Sequence, residues 1–184
     1  MREVIIRYRD TGDAWPTPLD SAERLARYSF EALQLAYGDI DRETLIVIPA
    51  SATYQPLCFA RIEGAAGNVM APPETVLGTP LRLGAQNFFM AHCHPSGDPT
   101  PSEPDLHVTN VLRNLATVLG LHMCGHLVIA SNGMYHSILS HTRGTLDVDA
   151  IRAGHVVVPP EEFRAAERAV YDPADRFKML ELDD

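Results

Sequence analysis

The sequence comprises 184 residues, 46% of them hydrophobic, a proportion typical of a globular chain. A chain of this length can bury a substantial core, so we expect one main domain with terminal additions. Acidic residues number 24 and basic residues 15, which leaves a net charge of −9, and the one lysine is Lys178. This balance argues against a nucleic-acid-binding protein, which ordinarily carries a basic patch.

The same inventory argues against secretion and membrane insertion. No apolar run approaches the roughly 20 residues needed to span a bilayer. The N-terminal residues show neither the apolar core nor the small-residue cleavage site of a signal peptide. The odd set Cys58, Cys93 and Cys124 forms no disulfide framework. We therefore expect a cytoplasmic protein with no membrane contact.

The first third of the chain predicts a strand, a helix and a hairpin. A short strand lies near residues 4–6 of an N-terminal extension, residues 1–19. A helix follows, from a cap at Asp20 or Ser21 to a stop at Gly38. Two strands, near 44–50 and 56–63, then form a hairpin around residues 51–54.

A helix over 74–83 leads to the apolar run 88–91, which predicts a buried strand ending in His92-Cys93-His94. Side chains alternate along a strand, so His92 and His94 should point one way and Cys93 the other. The two histidine Cα atoms would lie about 6.5–7 Å apart. Both imidazoles can then reach one metal ion at about 2.0–2.1 Å.

Ser102 and Asp105 stand where the next helix should begin, after a loop dense in proline and glycine. Ser-x-x-Asp is also the pattern of a helix N-cap, and these residues alone leave both interpretations open. Together with His-x-His, however, the four side chains suit a zinc hydrolase.

The helix after Asp105 is predicted to be amphipathic and to end at Gly120. Its apolar residues recur at spacings of three and four: Val108, Val111, Leu112, Leu115, Val118 and Leu119. His107 lies about 200° around this helix from Asp105, so we expect it to be exposed and not a ligand. Strands over 123–130 and 135–139 follow, paired around the turn 131–133.

A C-terminal segment, residues 146–184, should contain a helix from Glu161 to about residue 170 and an acidic tail. The alternation of helices and strands predicts a three-layer α/β domain with a mixed sheet. A cytidine deaminase is disfavoured because its His-x-Glu and Cys-x-x-Cys signature is missing.

The spacing His92-x-His94-x7-Ser102-x-x-Asp105 resembles the JAMM metal motif of JAB/MPN metalloproteases. The longer string His-Cys-His-Pro-Ser-Gly-Asp-Pro-Thr-Pro-Ser is similar to the RadC branch, and the resemblance covers roughly residues 20–145. It implies a JAB/MPN fold, zinc held by His92, His94 and Asp105, and an essential glutamate before an early strand. Glu43 occupies that place, and Glu63 is its rival.

The resemblance also implies the reaction. Glu43 would accept a proton from water and return it to the leaving nitrogen. Ser102 would donate to the developing oxyanion or hold the water. The bond cut would be a peptide or isopeptide bond after the C-terminal tail of a ubiquitin-like or sulfur-carrier protein, held by β-addition to a strand edge.

Two other classes of function stay open. One is a zinc-dependent nuclease or DNA-repair accessory, which the acidic balance and the lack of the family's helix-hairpin-helix segment disfavour. The other is a non-catalytic zinc-binding MPN scaffold, which the intact ligand set disfavours.

A homodimer is compatible with the sequence. Cys93, where the family usually has asparagine, should be a core thiol, and Gly125, where it often has aspartate, predicts a missing contact behind the ligands.

Overall fold

The computed structural model describes residues 17–37, 43–63 and 71–154, and within these ranges no helix is long and apolar enough to cross a bilayer. The helices are α1 (Ala22–Tyr37), α2 (Pro73–Arg82), α3 (Glu103–Val118) and α4 (Val148–Gly154). The strands are β1 (Thr44–Ala50), β2 (Ala60–Glu63), β3 (Asn87–His94), β4 (His122–Ala130), β5 (Met134–Ser137) and β6 (Arg143–Thr145). The predicted strand at 4–6, the stop at Gly38 and the helix at 161–170 lie outside the described residues.

The strands form one mixed sheet in the order β2-β1-β3-β4-β5-β6. β3 and β4 run parallel, and each of the other neighbouring pairs is antiparallel. A parallel pair needs a crossover connection, and α3 provides it between β3 and β4. The loop 95–102 joins the end of β3 to the start of α3. It thereby brings the His-x-His half of the predicted motif next to the Ser-x-x-Asp half.

Helices cover both faces of the sheet, so the predicted three-layer α/β architecture is confirmed. The side that we call the α1 face packs strand residues such as Ile46, Phe89 and Leu127 against α1. The other side, the α3 face, packs residues such as Val47 and Met90 against α2 and α3. Alternation along each strand distributes its side chains between these two cores.

Local sequence signals explain most element boundaries. The Ser21 hydroxyl accepts a hydrogen bond from the Arg24 amide at 3.2 Å and so caps α1, as predicted. Gly133 adopts a φ of 84° in the turn between β4 and β5, a conformation that glycine tolerates without strain. β2 is shorter than predicted: Pro56 makes only an isolated bridge to Ala50, and the regular ladder begins at Ala60. The short elements β6 and α4 were not predicted.

The rotation of α3 differs from the one that its apolar pattern suggests. Its buried residues are Thr109, Leu112 and Ala116, which continue at spacings of three and four the face that begins with Asp105. Several of the apolar residues that were expected to define the packed stripe are exposed, including Val118 at 83%. The helix is thus turned so that polar residues near its N-terminus face the sheet.

Candidate metal centre

The end of β3 delivers its two histidines to the α3 face. His92 is 8% exposed and pairs across the sheet with Leu45, which belongs to the core of that face. Cys93 points the other way, is 1% exposed within the α1-face core, and accepts a hydrogen bond on Sγ from the Thr44 amide at 3.2 Å. Burial raises the pKa of its thiol. The prediction that Cys93 is a core thiol is confirmed.

The first turn of α3 holds Asp105 through a capping box. The Ser102 hydroxyl accepts from the Asp105 amide at 3.3 Å, and the Ser102 amide donates to Asp105 Oδ2 at 2.7 Å. The Ser102 hydroxyl also donates to Oδ2 at 2.6 Å. The N-cap interpretation is confirmed, and the same contacts fix the orientation of the Asp105 carboxylate. The role of Asp105 as a metal ligand stays a prediction.

Potential ligand atoms of three residues converge where β3 and α3 meet. His92 Nε2 lies 3.1 Å from His94 Nε2 and 3.3 Å from Asp105 Oδ1, and His94 Nε2 lies 3.6 Å from Asp105 Oδ2. Ligand atoms bound tetrahedrally at 2.0–2.1 Å are separated by about 3.3 Å. The His92, His94 and Asp105 group could therefore hold a metal ion.

The charges within this group are coupled. The pKa of His94 is raised, chiefly because Asp105 accepts a hydrogen bond from the ring. Burial acts to raise the pKa of Asp105, but hydrogen bonds from His92, His94 and Ser102 and the charge on His92 together lower it below its ordinary value. The carboxylate is thus kept ionised, the form in which it binds a cation.

The loop after β3 orients His94. His94 Nδ1 lies 3.0 Å from the Asp98 carbonyl oxygen, which can only accept, so the ring donates through Nδ1. In the neutral ring, Nε2 then carries the lone pair that faces His92 and Asp105. The loop is itself tied to the sheet, because the Asn132 side chain donates to the Gly97 carbonyl at 3.1 Å.

Two further residues lie behind His92, and the sequence interpretation did not assign them to the site. His92 Nδ1 is 3.0 Å from His126 Nε2, and His126 Nδ1 is 2.6 Å from the Thr109 hydroxyl. His126 is fully buried, and desolvation lowers its pKa to about 3, so its ring is neutral. A histidine inside the apolar run of β4 was the available signal, but its partners lie 34 and 17 residues away in sequence.

Glu43 immediately precedes β1 and lies alongside the end of β3. The ladder between β1 and β3 ends where Leu45 pairs with His92. Two more residues in the same register would bring Glu43 opposite His94 on the α3 face. Its charge is among the causes that raise the pKa of His94. The backbone of the rival Glu63 pairs with Thr44. The role of Glu43 as the general base stays a prediction.

Gly125 and His107 settle two smaller expectations. A Cβ at Gly125 would lie 3.0 Å from Leu25 Cδ2 and 3.1 Å from a Phe89 ring carbon, within the α1-face core. Position 125 therefore does not border the ligands, and the contact behind His92 is made by His126 instead. The expectation of a missing contact is wrong. His107 is exposed, as predicted.

Comparison with known proteins assigns the family. Residues 19–144 match the family model described as the RadC-like JAB domain. The chain is 34% identical over 100 residues to a UPF0758 protein of Moorella thermoacetica, covering 54% of this chain and 43% of that protein. It is 28% identical over 121 residues to a UPF0758 protein of Thermotoga maritima, covering 65% and 52%. The matched part thus spans about half the length of these relatives, and the chain belongs to the RadC-like JAB domain family.

Proposed function

We propose that this protein is a zinc-dependent hydrolase of a peptide or isopeptide bond. The observation that carries the proposal is the convergence of His92 Nε2, His94 Nε2 and the Asp105 carboxylate within 4.8 Å of one another. Two imidazoles and one carboxylate are a ligand set that suits Zn²⁺, and catalytic zinc sites use three protein ligands and keep the fourth position open.

The surrounding residues have the roles that hydrolysis requires. His92, His94 and Asp105 would hold the zinc, which would supply the Lewis acidity that makes water a nucleophile near neutral pH. Glu43, alongside His94, accepts the proton of the attacking water and returns it to the leaving nitrogen. The Ser102 hydroxyl, which donates to Asp105, turns to the developing oxyanion once substrate is bound.

The substrate that we propose is the flexible C-terminal tail of a ubiquitin-like or sulfur-carrier protein, or an isopeptide made with it. Among the described strands, β2 is the sheet edge nearer to β3, at two strand positions away. Two strand spacings amount to about 10 Å. The end of β2 pairs with Thr44, next to Glu43. An extended tail added outside β2 by main-chain hydrogen bonds would lie one strand spacing further, about 14 Å from β3. Its C-terminal end would turn across the ends of β2 and β1 to reach the candidate ligands.

The nuclease alternative gains no support from the arginines of α1. Arg24 pairs with Asp20 at 2.7 Å, and Arg27 pairs with Glu31 at 3.0 Å. Both arginines lie on α1, which packs on the side of the sheet opposite the candidate metal centre. These residues do not form an uncompensated cationic surface next to the site.

The proposal is tested by cleavage assays on the purified zinc-loaded protein. The substrates are ubiquitin-like proteins with a C-terminal peptide extension or an isopeptide-linked lysine peptide, and duplex and single-stranded DNA are assayed in parallel. We expect cleavage at the tail that stops on addition of a chelator, returns with zinc, and changes little with salt. The matched control is the His92→Ala/His94→Ala variant, which should be inactive on every substrate.

A different pattern would overturn the proposal. If the protein cleaves DNA but no tail, and its DNA affinity falls with salt by about 0.9 log units per log salt for each phosphate contact, the nuclease interpretation is correct. If zinc binds stoichiometrically but neither substrate class is cleaved, the protein is a zinc-binding scaffold.

A further inference from the structure

A chain of hydrogen bonds, which we call the circuit, joins the candidate metal centre to residues behind it. It runs from the Asp105 backbone carbonyl to the Thr109 hydroxyl, then to His126, and then to His92 Nδ1. The other nitrogen of His92, Nε2, lies 3.3 Å from the Asp105 carboxylate. Thr109, His126 and His92 are each at most 8% exposed, so water does not compete for these bonds. The Thr109 hydroxyl, both nitrogens of His126 and Nδ1 of His92 therefore find their hydrogen-bond partners within the circuit.

The number of protons on Thr109 and His126 determines which atom donates in each hydrogen bond of the circuit. Thr109 Oγ1 lies 2.5 Å from the Asp105 carbonyl oxygen, and at that separation the hydroxyl proton must lie between the two oxygens because a carbonyl cannot donate. The single Thr109 proton is then used, so the hydroxyl oxygen accepts from His126 Nδ1, 2.6 Å away. A neutral imidazole has one N–H, and in His126 the bond to Thr109 takes it.

The same count of protons determines which ring nitrogen of His92 is protonated. Because the His126 proton is on Nδ1, its Nε2 is an acceptor, and His92 Nδ1 donates to it across 3.0 Å. A neutral His92 then has its lone pair on Nε2, the atom that lies between His94 and Asp105. The opposite direction of the circuit would place a proton on Nε2 and prevent this ring from binding a metal through that atom.

We propose that Thr109 and His126 are positioning residues that hold His92 in the tautomer able to bind a metal, with the Asp105 backbone carbonyl setting the direction of the circuit. This inference rests on the metal centre of the proposed function. Neither Thr109 nor His126 belongs to the group of three residues that could hold the metal, and neither belongs to the His-x-His and Ser-x-x-Asp motif. Asp105 and Thr109 are one helical turn apart on α3, so the same helix carries the carboxylate that faces His92 and the hydroxyl that orients His126.

The direct test compares Thr109→Val, which keeps the shape but removes the hydroxyl, with Thr109→Ser, which keeps the hydroxyl. The first measurement is ¹⁵N NMR of the imidazole nitrogens in the metal-free protein under mildly alkaline conditions. We expect His92 to be protonated at Nδ1 in the wild type and in Thr109→Ser. In Thr109→Val we expect a substantial population protonated at Nε2, because the His126 N–H has lost its acceptor.

The second measurement is zinc affinity, from competition with a chromophoric chelator. Loss of an outer partner of a metal-binding histidine typically weakens affinity about 10–100-fold, and we expect a loss of this size for Thr109→Val. Thr109→Ser should bind zinc about as tightly as the wild type. Far-ultraviolet circular dichroism and an unfolding curve for each variant show whether any loss reflects misfolding.

The outcomes test the positioning role of Thr109 and His126 separately from the proposed hydrolysis. A His92 ring protonated at Nε2 in the wild type, or unchanged tautomer and unchanged zinc affinity in Thr109→Val, would overturn the proposal. Equal weakening in Thr109→Val and Thr109→Ser would also overturn it, because the hydroxyl would then not be the cause. If the tautomer and the affinities behave as expected but no peptide is cleaved, the proposed reaction fails and the circuit stands.

Discussion

The two faces of the sheet differ in how far their apolar packing continues along the strands. On the α1 face, β3 contributes Phe89, Ala91 and Cys93, all within one core up to the end of the strand. On the α3 face, the same strand contributes Phe88 and Met90 to the core and then presents His92 and His94. One strand thus supplies uninterrupted packing on one side and convergent ligand atoms on the other. The position of the candidate centre is defined by where apolar residues give way to polar ones on a single face.

The largest expected effect distinguishes Glu43 from the metal ligands. Glu43→Gln keeps the size of the side chain but removes the carboxylate that we propose as the general base, so we expect hydrolysis to fall by about 10²–10⁴-fold. Zinc content should stay at the wild-type level, because a general base acts on water and not on the ion. The measurements are steady-state cleavage of a tail substrate and metal analysis of the same preparation.

Glu63→Gln is the matched control, since Glu63 lies at the end of β2 with its backbone paired to Thr44. We expect it to retain most activity. Loss of activity in Glu63→Gln together with retention in Glu43→Gln would show that the other glutamate is the base, and would break the assignment of the catalytic carboxylate to the α3 face.

The next effect concerns the rotation of α3. Leu112 is 1% exposed within the α3-face core, whereas Val118 on the same helix is 83% exposed. Leu112→Ala should lower the free energy of unfolding by about 2–5 kcal/mol, because it leaves a cavity. Val118→Ala should change it by no more than about 0.5 kcal/mol. Denaturant unfolding of both variants checks this, and the reverse order of effects would mean that α3 packs through its exposed apolar stripe.

Much of this arrangement was predictable because it is encoded in short stretches of sequence. Alternation along β3 separates Cys93 from the two histidines, and the Ser102 cap fixes Asp105 within one helical turn. His126 and Thr109 could not be assigned in this way. They meet only because β4 pairs in parallel with β3 and because α3 returns across both strands.

The rotation of α3 was missed for a related reason. Counting apolar residues weights Val118 and Leu115 as strongly as Leu112. In the fold, however, the N-terminal end of α3 faces the sheet through Asp105, next to His92, and through Thr109, which bonds to His126. The buried line then runs through Thr109, Leu112 and Ala116. Periodicity predicted the helix, but polar contacts over long sequence separations decided which side of it is buried.

The smallest effect concerns Cys93, which lies between the two histidines on β3 but packs on the α1 face. Cys93→Ala removes a buried thiol that the Thr44 amide contacts at 3.2 Å, and we expect a loss of about 1 kcal/mol in the free energy of unfolding. Thermal or denaturant unfolding measures it. Because burial raises the pKa of the thiol, alkylation of Cys93 in the folded wild-type protein should be slow. Rapid alkylation would contradict the placement of Cys93 in the core.

The most direct test of the central claim is metal analysis of the wild type, of His92→Ala/His94→Ala and of Cys93→Ala, purified in parallel and loaded with zinc. If the centre lies on the α3 face, the wild type and Cys93→Ala will each hold one zinc per chain. The double histidine variant will hold none while keeping its circular dichroism spectrum. A full equivalent of zinc in the folded double variant, or its loss in folded Cys93→Ala, would contradict the assignment of the ligands.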